Sequence, residues 1–202
     1  MKVLIDTDVF CKLGVAGLLT DAVASLGAQL TDCERLPALP YMLRRGSVPN
    51  RFGEENCESL LEIARAIPPL QASTSEWLDR FRPVPGIGPG EAQLYSAAIE
   101  RNVLVLSGDK RALRAIDKVE GAAQALSGLI APLEAVLIAL HGPLGADDLR
   151  ARLVAIRSLD RAVGICFSDS NNDPLSALWS YYDSLASDVA PLLLWRPPST
   201  TT

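Results

Sequence analysis

The chain has 202 residues, 49% of them apolar, and a formal net charge of −5. That length and apolar fraction are enough for a sizeable core and argue against disorder over most of the chain, while the acidic balance argues against a broadly basic nucleic-acid-binding surface and leaves room only for local Arg patches. The four cysteines form no C-x-x-C pair and His141 is the one histidine, so a zinc site built from Cys and His is not expected, and any His-dependent nucleophilic mechanism would have to use that residue.

In chain order, Val3-Leu4-Ile5 is consecutive and apolar, the pattern of a strand buried on both faces. It runs into Asp6 and, one residue later, Asp8. Leu18, Leu19, Ala22, Val23 and Leu26 have helical spacing, with Gly27 as the stop. Ala28 to Leu30 reads as a short second strand, and Thr31-Asp32 as the cap of a helix from Cys33 that Pro37 and Pro40 would disturb. Arg44 to Arg51 is a basic, turn-rich loop. A helix opens near Gly53 with Leu60, Leu61, Ile63, Ala64 and Ile67 as its buried stripe, and ends at Pro68-Pro69. Ser75 to Phe81 reads as a short helix. The Pro- and Gly-rich run from Pro83 to Gly90 lacks a G-x-G-x-x-G or P-loop pattern and is not read as nucleotide binding. It leads into a strong helix starting at Glu91, whose small residues Ala92, Ser96, Ala97 and Ala98 allow close packing on a sheet.

Val103 to Leu106 is a second wholly apolar strand. It ends at Ser107-Gly108-Asp109, with a helix from Lys110 to Ile116 beyond. A further strand is expected within Ala122 to Ile130, then an apolar helix from Pro132 to Leu140 that His141 would cap. An amphipathic helix follows over Ala146 to Ile156. Ile165 to Phe167 reads as a short strand and Pro174 as the start of a last helix. The tail from Pro197 is expected to fray. The run around Leu129 to Leu140 is too short to span a bilayer and holds Pro132 and Glu134, so no membrane association is expected. The start does not read as a secretory leader, and the expected compartment is the cytoplasm.

Strands alternating with helices imply a parallel sheet. The carboxyl ends of its strands share one edge, where open α/β sheets place their ligands. Asp6, Asp8 and Asp109 would gather there, joined by Glu91 if its helix enters from the same edge. Carboxylates so close repel unless a cation or proton lies between them. Hard oxygen ligands favour Mg²⁺ or Mn²⁺, which suggests metal-assisted phosphodiester hydrolysis. Each acid also sits where a helix cap would, and Glu91 where a carboxylate complements a helix dipole. Arg44, Arg45, Arg51, Lys110 and Arg111 are candidate phosphate contacts, although such residues also serve as solvated surface.

Leu4-Ile5-Asp6-Thr7-Asp8-Val9-Phe10 resembles the opening of PIN-domain ribonucleases. Gly90 to Ala98 is similar to that family's later acid-bearing helix, and Val103 to Leu113 to its strand ending in Ser-x-Asp or Thr-x-Asp. Together the segments span roughly the first 120 residues. The resemblance implies a three-layer α/β/α fold with a central parallel sheet over residues 1–141, leaving a mainly helical C-terminal extension over 142–202. It implies Mg²⁺- or Mn²⁺-dependent cleavage of RNA, with Asp6, Glu91 and Asp109 as metal ligands and Asp8 as a further catalytic group. It also allows an antitoxin-like protein partner or a homodimer. One departure stands out: the family's acid on the helix after the second strand has no counterpart between Leu36 and Arg44. Two alternatives follow. One is a catalytically degenerate PIN-like module that binds RNA or protein. The other draws on the similarity of Asp6-x-Asp8 to the opening of haloacid-dehalogenase-type phosphatases, with Asp6 as nucleophile.

Overall fold

The computed structural model describes residues 2–198; the end of the tail expected to fray, residues 199–202, lies outside them. The chain forms an α/β fold around a four-stranded sheet, all of it parallel, with a helical C-terminal region. Strand β1 (Val3–Ile5) leads into helix α1 (Thr7–Val15) and α2 (Leu19–Ser25), and then β2 (Cys33–Arg35). Helices α3 (Leu39–Met42), α4 (Ser47–Phe52), α5 (Glu54–Ala66), α6 (Glu76–Phe81) and α7 (Pro89–Arg101) precede β3 (Leu104–Leu106). Helices α8 (Lys110–Ala115) and α9 (Ala122–Ala125) lead to β4 (Ile130–Ala131), followed by α10 (Leu133–Leu153), α11 (Arg161–Cys166) and α12 (Pro174–Asp188).

The sheet order is β2-β1-β3-β4. The order in which strands are added therefore reverses between β1 and β3, which makes their carboxyl ends a topological switch point, the crevice in which open α/β sheets hold ligands. Ile5 lies opposite both Arg35 and Leu106, and Leu106 opposite Ala131, so the four strands end nearly level. Both β1 and β3 are wholly buried, as their unbroken apolar runs require. The sheet's outer edges are covered. Arg35 bridges to Pro69 beside β2, and Trp195 N–H donates to the Ile130 carbonyl beside β4 at 2.7 Å. Covered edges deny another chain a template for strand pairing.

Several sequence expectations are corrected. The basic run expected as a loop over Arg44 to Arg51 is helical from Ser47, as α4. The second strand is Cys33–Arg35, with Leu30–Asp32 forming one 3₁₀ turn, where Ala28 to Leu30 was expected as strand and Cys33 as helix. Charge hid it: Glu34 and Arg35 are both buried. Glu34 is neutralised by Arg101 at 2.8 Å and Lys2 at 3.1 Å, and Arg35 donates from Nε to the Ala64 carbonyl at 2.7 Å. Within Ala122 to Ile130 the first four residues are helical and the strand begins only at Ile130. Ile165 and Cys166 end helix α11, which starts because Asp160 caps the Val163 N–H at 3.1 Å, so no strand forms there.

The 141/142 boundary falls inside α10, and His141 lies within that helix instead of capping it. The backbone leaves helical geometry at Gly145, where φ is +77°. Residues of α10, α11 and α12 share one apolar core with β1 and β3. All four cysteines are free and buried, as expected of core fillers. Among the described residues no helix is long and apolar enough to cross a membrane.

Candidate active site at the carboxyl edge of the sheet

Asp6 follows β1 directly and is held there by the pairing of its N–H with the Leu106 carbonyl at 2.9 Å. It occupies the cap position of α1, yet its side chain makes no capping hydrogen bond. The residue is 5% exposed. Burial, then the negative charges of Glu91 and Asp8, raise its pKa from 3.8 to about 7, and the N–H groups of Thr7 and Asp8 offset only part of that. Beside it the Thr7 hydroxyl is buried and has no hydrogen-bond partner among the described residues.

Asp109 follows β3 and does act as a cap. Its Oδ1 accepts from the N–H of Arg111 at 2.8 Å and of Ala112 at 3.0 Å. Glu91 stands in the first turn of α7, and its carboxylate folds over Gly88, where any Cβ would collide with Glu91 Oε2. A cleft of about 740 Å³ brings Asp6, Asp8, Glu91 and Asp109 onto one wall. Its other wall is apolar. Leu36, Pro37, Ala38 and Met42 come from the loop and short helix after β2, the segment that lacks the family-like acid, and Val48 and Phe52 come from α4.

Asp8 differs from the other three. Lys12 Nζ lies 2.6 Å from its Oδ2, and Arg51 donates to its Oδ1 at 2.7 Å. Lys12 is buried and also bonds Asp160 at 2.7 Å, and Arg51 also donates to the Leu159 carbonyl at 3.0 Å. Burial pulls the Lys12 pKa down, but Asp8 and Asp160 together overcome it, and the net shift is upward. For Asp160 burial works to raise the pKa, and Lys12 outweighs it to leave a lowered value. Asp6, Glu91 and Asp109 take part in no ion pair among the described residues.

Of the Arg and Lys candidates, Arg51 lines the cleft. Lys110 and Arg111 stand on the far side of Asp109, in a second groove. Arg44 and Arg45 are exposed and line neither. Four functional-edge residues escaped the sequence reading. Lys12 and Asp160 are a long-range pair that sequence spacing does not show. Glu134 is 3% exposed and bonded to Lys110 at 2.7 Å; its signal is present, since it follows the β4 apolar pair much as Asp109 follows β3. Tyr95 is fully buried behind the acids, with its hydroxyl 3.4 Å from that of Ser107. Burial is the main reason its pKa is driven up, and the charges of Asp6, Glu91 and Asp109 add to the effect.

Among the described residues, no three Asp, Glu, His or Cys side chains converge closely enough to cage a metal ion. The donor set nonetheless fits a hydrated divalent ion. Mg²⁺ binds through one or two carboxylates, retains several waters and takes further oxygens from a phosphate substrate. Asp6 offers a buried carboxylate with no cation of its own, and Glu91 and Asp109 share its wall. Comparison of the chain with protein-family models, with curated proteins and with solved structures finds no match.

Proposed function

We propose that this is a metal-dependent ribonuclease with a PIN-like, three-layer α/β/α arrangement of its first part, hydrolysing RNA phosphodiester bonds at the β1/β3 switch point. One observation carries the reading. Asp6 is a buried carboxyl group at the carboxyl end of a central strand, its pKa raised by burial and then by Glu91 and Asp8, and no cation pairs with it among the described residues. A bound Mg²⁺ or Mn²⁺ would supply a counter-charge, acidify a water and offset charge building at phosphorus. Asp6 would hold such an ion, with Glu91 or Asp109 as the second carboxylate. Asp109, fixed by its cap bonds on Oδ1, keeps Oδ2 for the cleft. Asp8, held between Lys12 and Arg51, orients Arg51 at the cleft wall, where its guanidinium can meet a phosphate. The apolar wall from Leu36 to Met42 excludes water from one side and offers a surface to a base.

Mn²⁺ titration tests the reading, with single-stranded RNA cleavage as the second readout. Saturable Mn²⁺ binding is expected in the wild type, with binding and cleavage both lost in Asp6→Asn. Binding indifferent to that substitution would sink the catalytic reading. A second reading is a degenerate module of the same fold that binds RNA without cutting it. It is favoured by the missing three-carboxylate cage and by the acid-free segment after β2. RNA binding without Mn²⁺ binding is its signature. An antitoxin-like partner or homodimer belongs to the same proposal and rests on the resemblance alone; a cytoplasmic setting is proposed with it, on the sequence expectation.

A further inference from the structure

A second groove, of about 640 Å³, opens on the other side of Asp109, which lines both it and the acid cleft. Its near wall is the start of α8. Its far wall is built by the C-terminal helical region: Arg161 at the head of α11, and Tyr181 and Ser184 on α12. Four cations and three carboxylates face it. Most are already matched. Asp160 is bonded to Lys12 at 2.7 Å, Asp188 to Arg114 at 2.7 Å, and Lys110 to Glu134 at 2.7 Å. Two cations remain, Arg111 on α8 and Arg161 on α11, both exposed and neither in an ion pair among the described residues, together with the Asp109 carboxylate that caps α8. Tyr181, half-buried, lines the same groove and has its ring 5.6 Å from Lys110 Nζ.

From this juxtaposition we infer that the groove is a phosphodiester subsite. It holds the RNA backbone one step beyond the bond positioned in the acid cleft, with the phosphate between Arg111 and Arg161 and the adjoining base on Tyr181. Two guanidiniums without an ion-pair partner, brought to one groove from two different helices, suit a planar grip on phosphate oxygens. An aromatic face beside them suits a stacked base. The inference rests on the proposed reading of the acid cleft for its substrate, and it gives the C-terminal helices a role: without Arg161 and Tyr181 the groove has one wall.

The test uses a fluorescently labelled single-stranded RNA, the full-length protein and no divalent metal, with affinity measured across a salt series. The variants are the double substitution Arg111→Ala with Arg161→Ala and, as a charge-matched control, Arg65→Ala with Arg82→Ala, two exposed residues that line neither groove. Each single-strand phosphate contact contributes roughly 0.7 to the slope of log affinity against log salt. The Arg111/Arg161 double variant, which loses the one phosphate held between the two guanidiniums, should therefore flatten the slope by about 0.7 and weaken low-salt binding by roughly tenfold or more, and the control should match the wild type. Inorganic phosphate at matched ionic strength should compete weakly, because a free anion lacks the stacked base. Equal slopes in the two double variants would overturn the inference, as would full competition by inorganic phosphate. Failure here and failure of the nuclease reading are separable. A protein that binds RNA with the expected slope change but never cleaves it keeps the groove and loses the nuclease. One that cleaves, with an unchanged KM in the Arg111/Arg161 variant, keeps the nuclease and loses the groove.

Discussion

Asp6 and Asp8 are two residues apart in sequence and line the same cleft, yet the fold treats them in opposite ways. Asp8 is clasped by Lys12 and Arg51, and through Lys12 it is tied to Asp160 of the C-terminal region. Asp6 is more deeply buried, has no cation, and its pKa is raised to about 7. The difference separates a charge-compensated carboxylate from one that, among the described residues, has no cation partner. A fold that can neutralise one acid with two cations could have done the same for its neighbour. Leaving Asp6 uncompensated costs stability, and such groups concentrate at sites where a ligand supplies what the protein withholds.

The largest effect expected from breaking this contrast is on cleavage. Asp109→Asn should reduce metal-dependent RNA cleavage by roughly 10³-fold and leave the melting temperature nearly unchanged, because Asn serves as well as Asp at a helix cap. Asp109→Ala should lose the same activity and, in addition, about 1 kcal/mol of stability with its cap bonds. Comparable cleavage by Asp109→Asn and wild type in a clean preparation would remove Asp109 from the site.

Stability against pH probes Asp6 directly in the metal-free protein. Its folded pKa lies above its unfolded value, so between 3.8 and about 7 the folded state holds the extra proton. The stabilisation this gives is present in full at low pH and is lost as pH rises through 7. Asp6→Asn removes the titration. Its stability relative to wild type should therefore grow with pH across that window, reach at most about 4 kcal/mol, and level off above it. Thermal melts at pH 5 and pH 8 measure the growth. A difference that is flat with pH would show that Asp6 is not strained. Mn²⁺ should narrow the gap at pH 8 by stabilising the wild type alone.

What the sequence discloses about this edge follows from which forces are local. The buried strands Val3–Ile5 and Leu104–Leu106 were legible because wholly apolar runs announce parallel strands, and Asp6 and Asp109 were legible because Asp6 directly follows the first run and Asp109 lies three residues past the second. Glu91 was legible as a first-turn acid, although its side chain's fold over Gly88 was not. Strand β2 was illegible, because Glu34 and Arg35 look solvated until Arg101 and the Ala64 carbonyl are brought to them from distant parts of the chain. The clasp on Asp8 was hidden for the same reason: Asp160 is 148 residues from Lys12. Asp8 therefore read as a fourth catalytic acid, whereas the structure gives it two cations of its own.

The clasp itself should be worth less than catalysis but more than a surface pair. Lys12→Met keeps the stem and removes the charge, stranding the largely buried Asp160 and leaving Asp8 with Arg51 as its one cation. Loss of one partner from such a set typically costs about 3 kcal/mol, which urea unfolding at pH 7 would read. Asp160 is held below the ordinary carboxylate range, so its share of the stabilisation is present above that range and fades only as pH falls through its lowered folded value. Lys12 is raised, so its share holds up to and beyond pH 10. The deficit of Lys12→Met should therefore shrink below about pH 4, where the stranded acid protonates. A deficit independent of pH would point to lost packing instead.

The smallest effect should come from the outer half of the clasp, and it is the most discriminating. Arg51 is 44% exposed at its side chain, and an exposed pair of this kind is worth at most about 1 kcal/mol. Some of its packing, over the Phe52 ring at 5.0 Å, is with its own helix. Arg51→Ala should therefore barely move the urea midpoint. It should also leave Mn²⁺ affinity unchanged, because Lys12 at 2.6 Å still neutralises Asp8 and keeps it from competing as a ligand. Adding Lys12→Met to Arg51→Ala would free Asp8 to join Asp6, and Mn²⁺ should then bind more tightly than in the wild type. If Arg51→Ala alone tightened Mn²⁺ binding, Asp8 would already be within the metal's reach, and the division between a clasped acid and an uncompensated one would not hold.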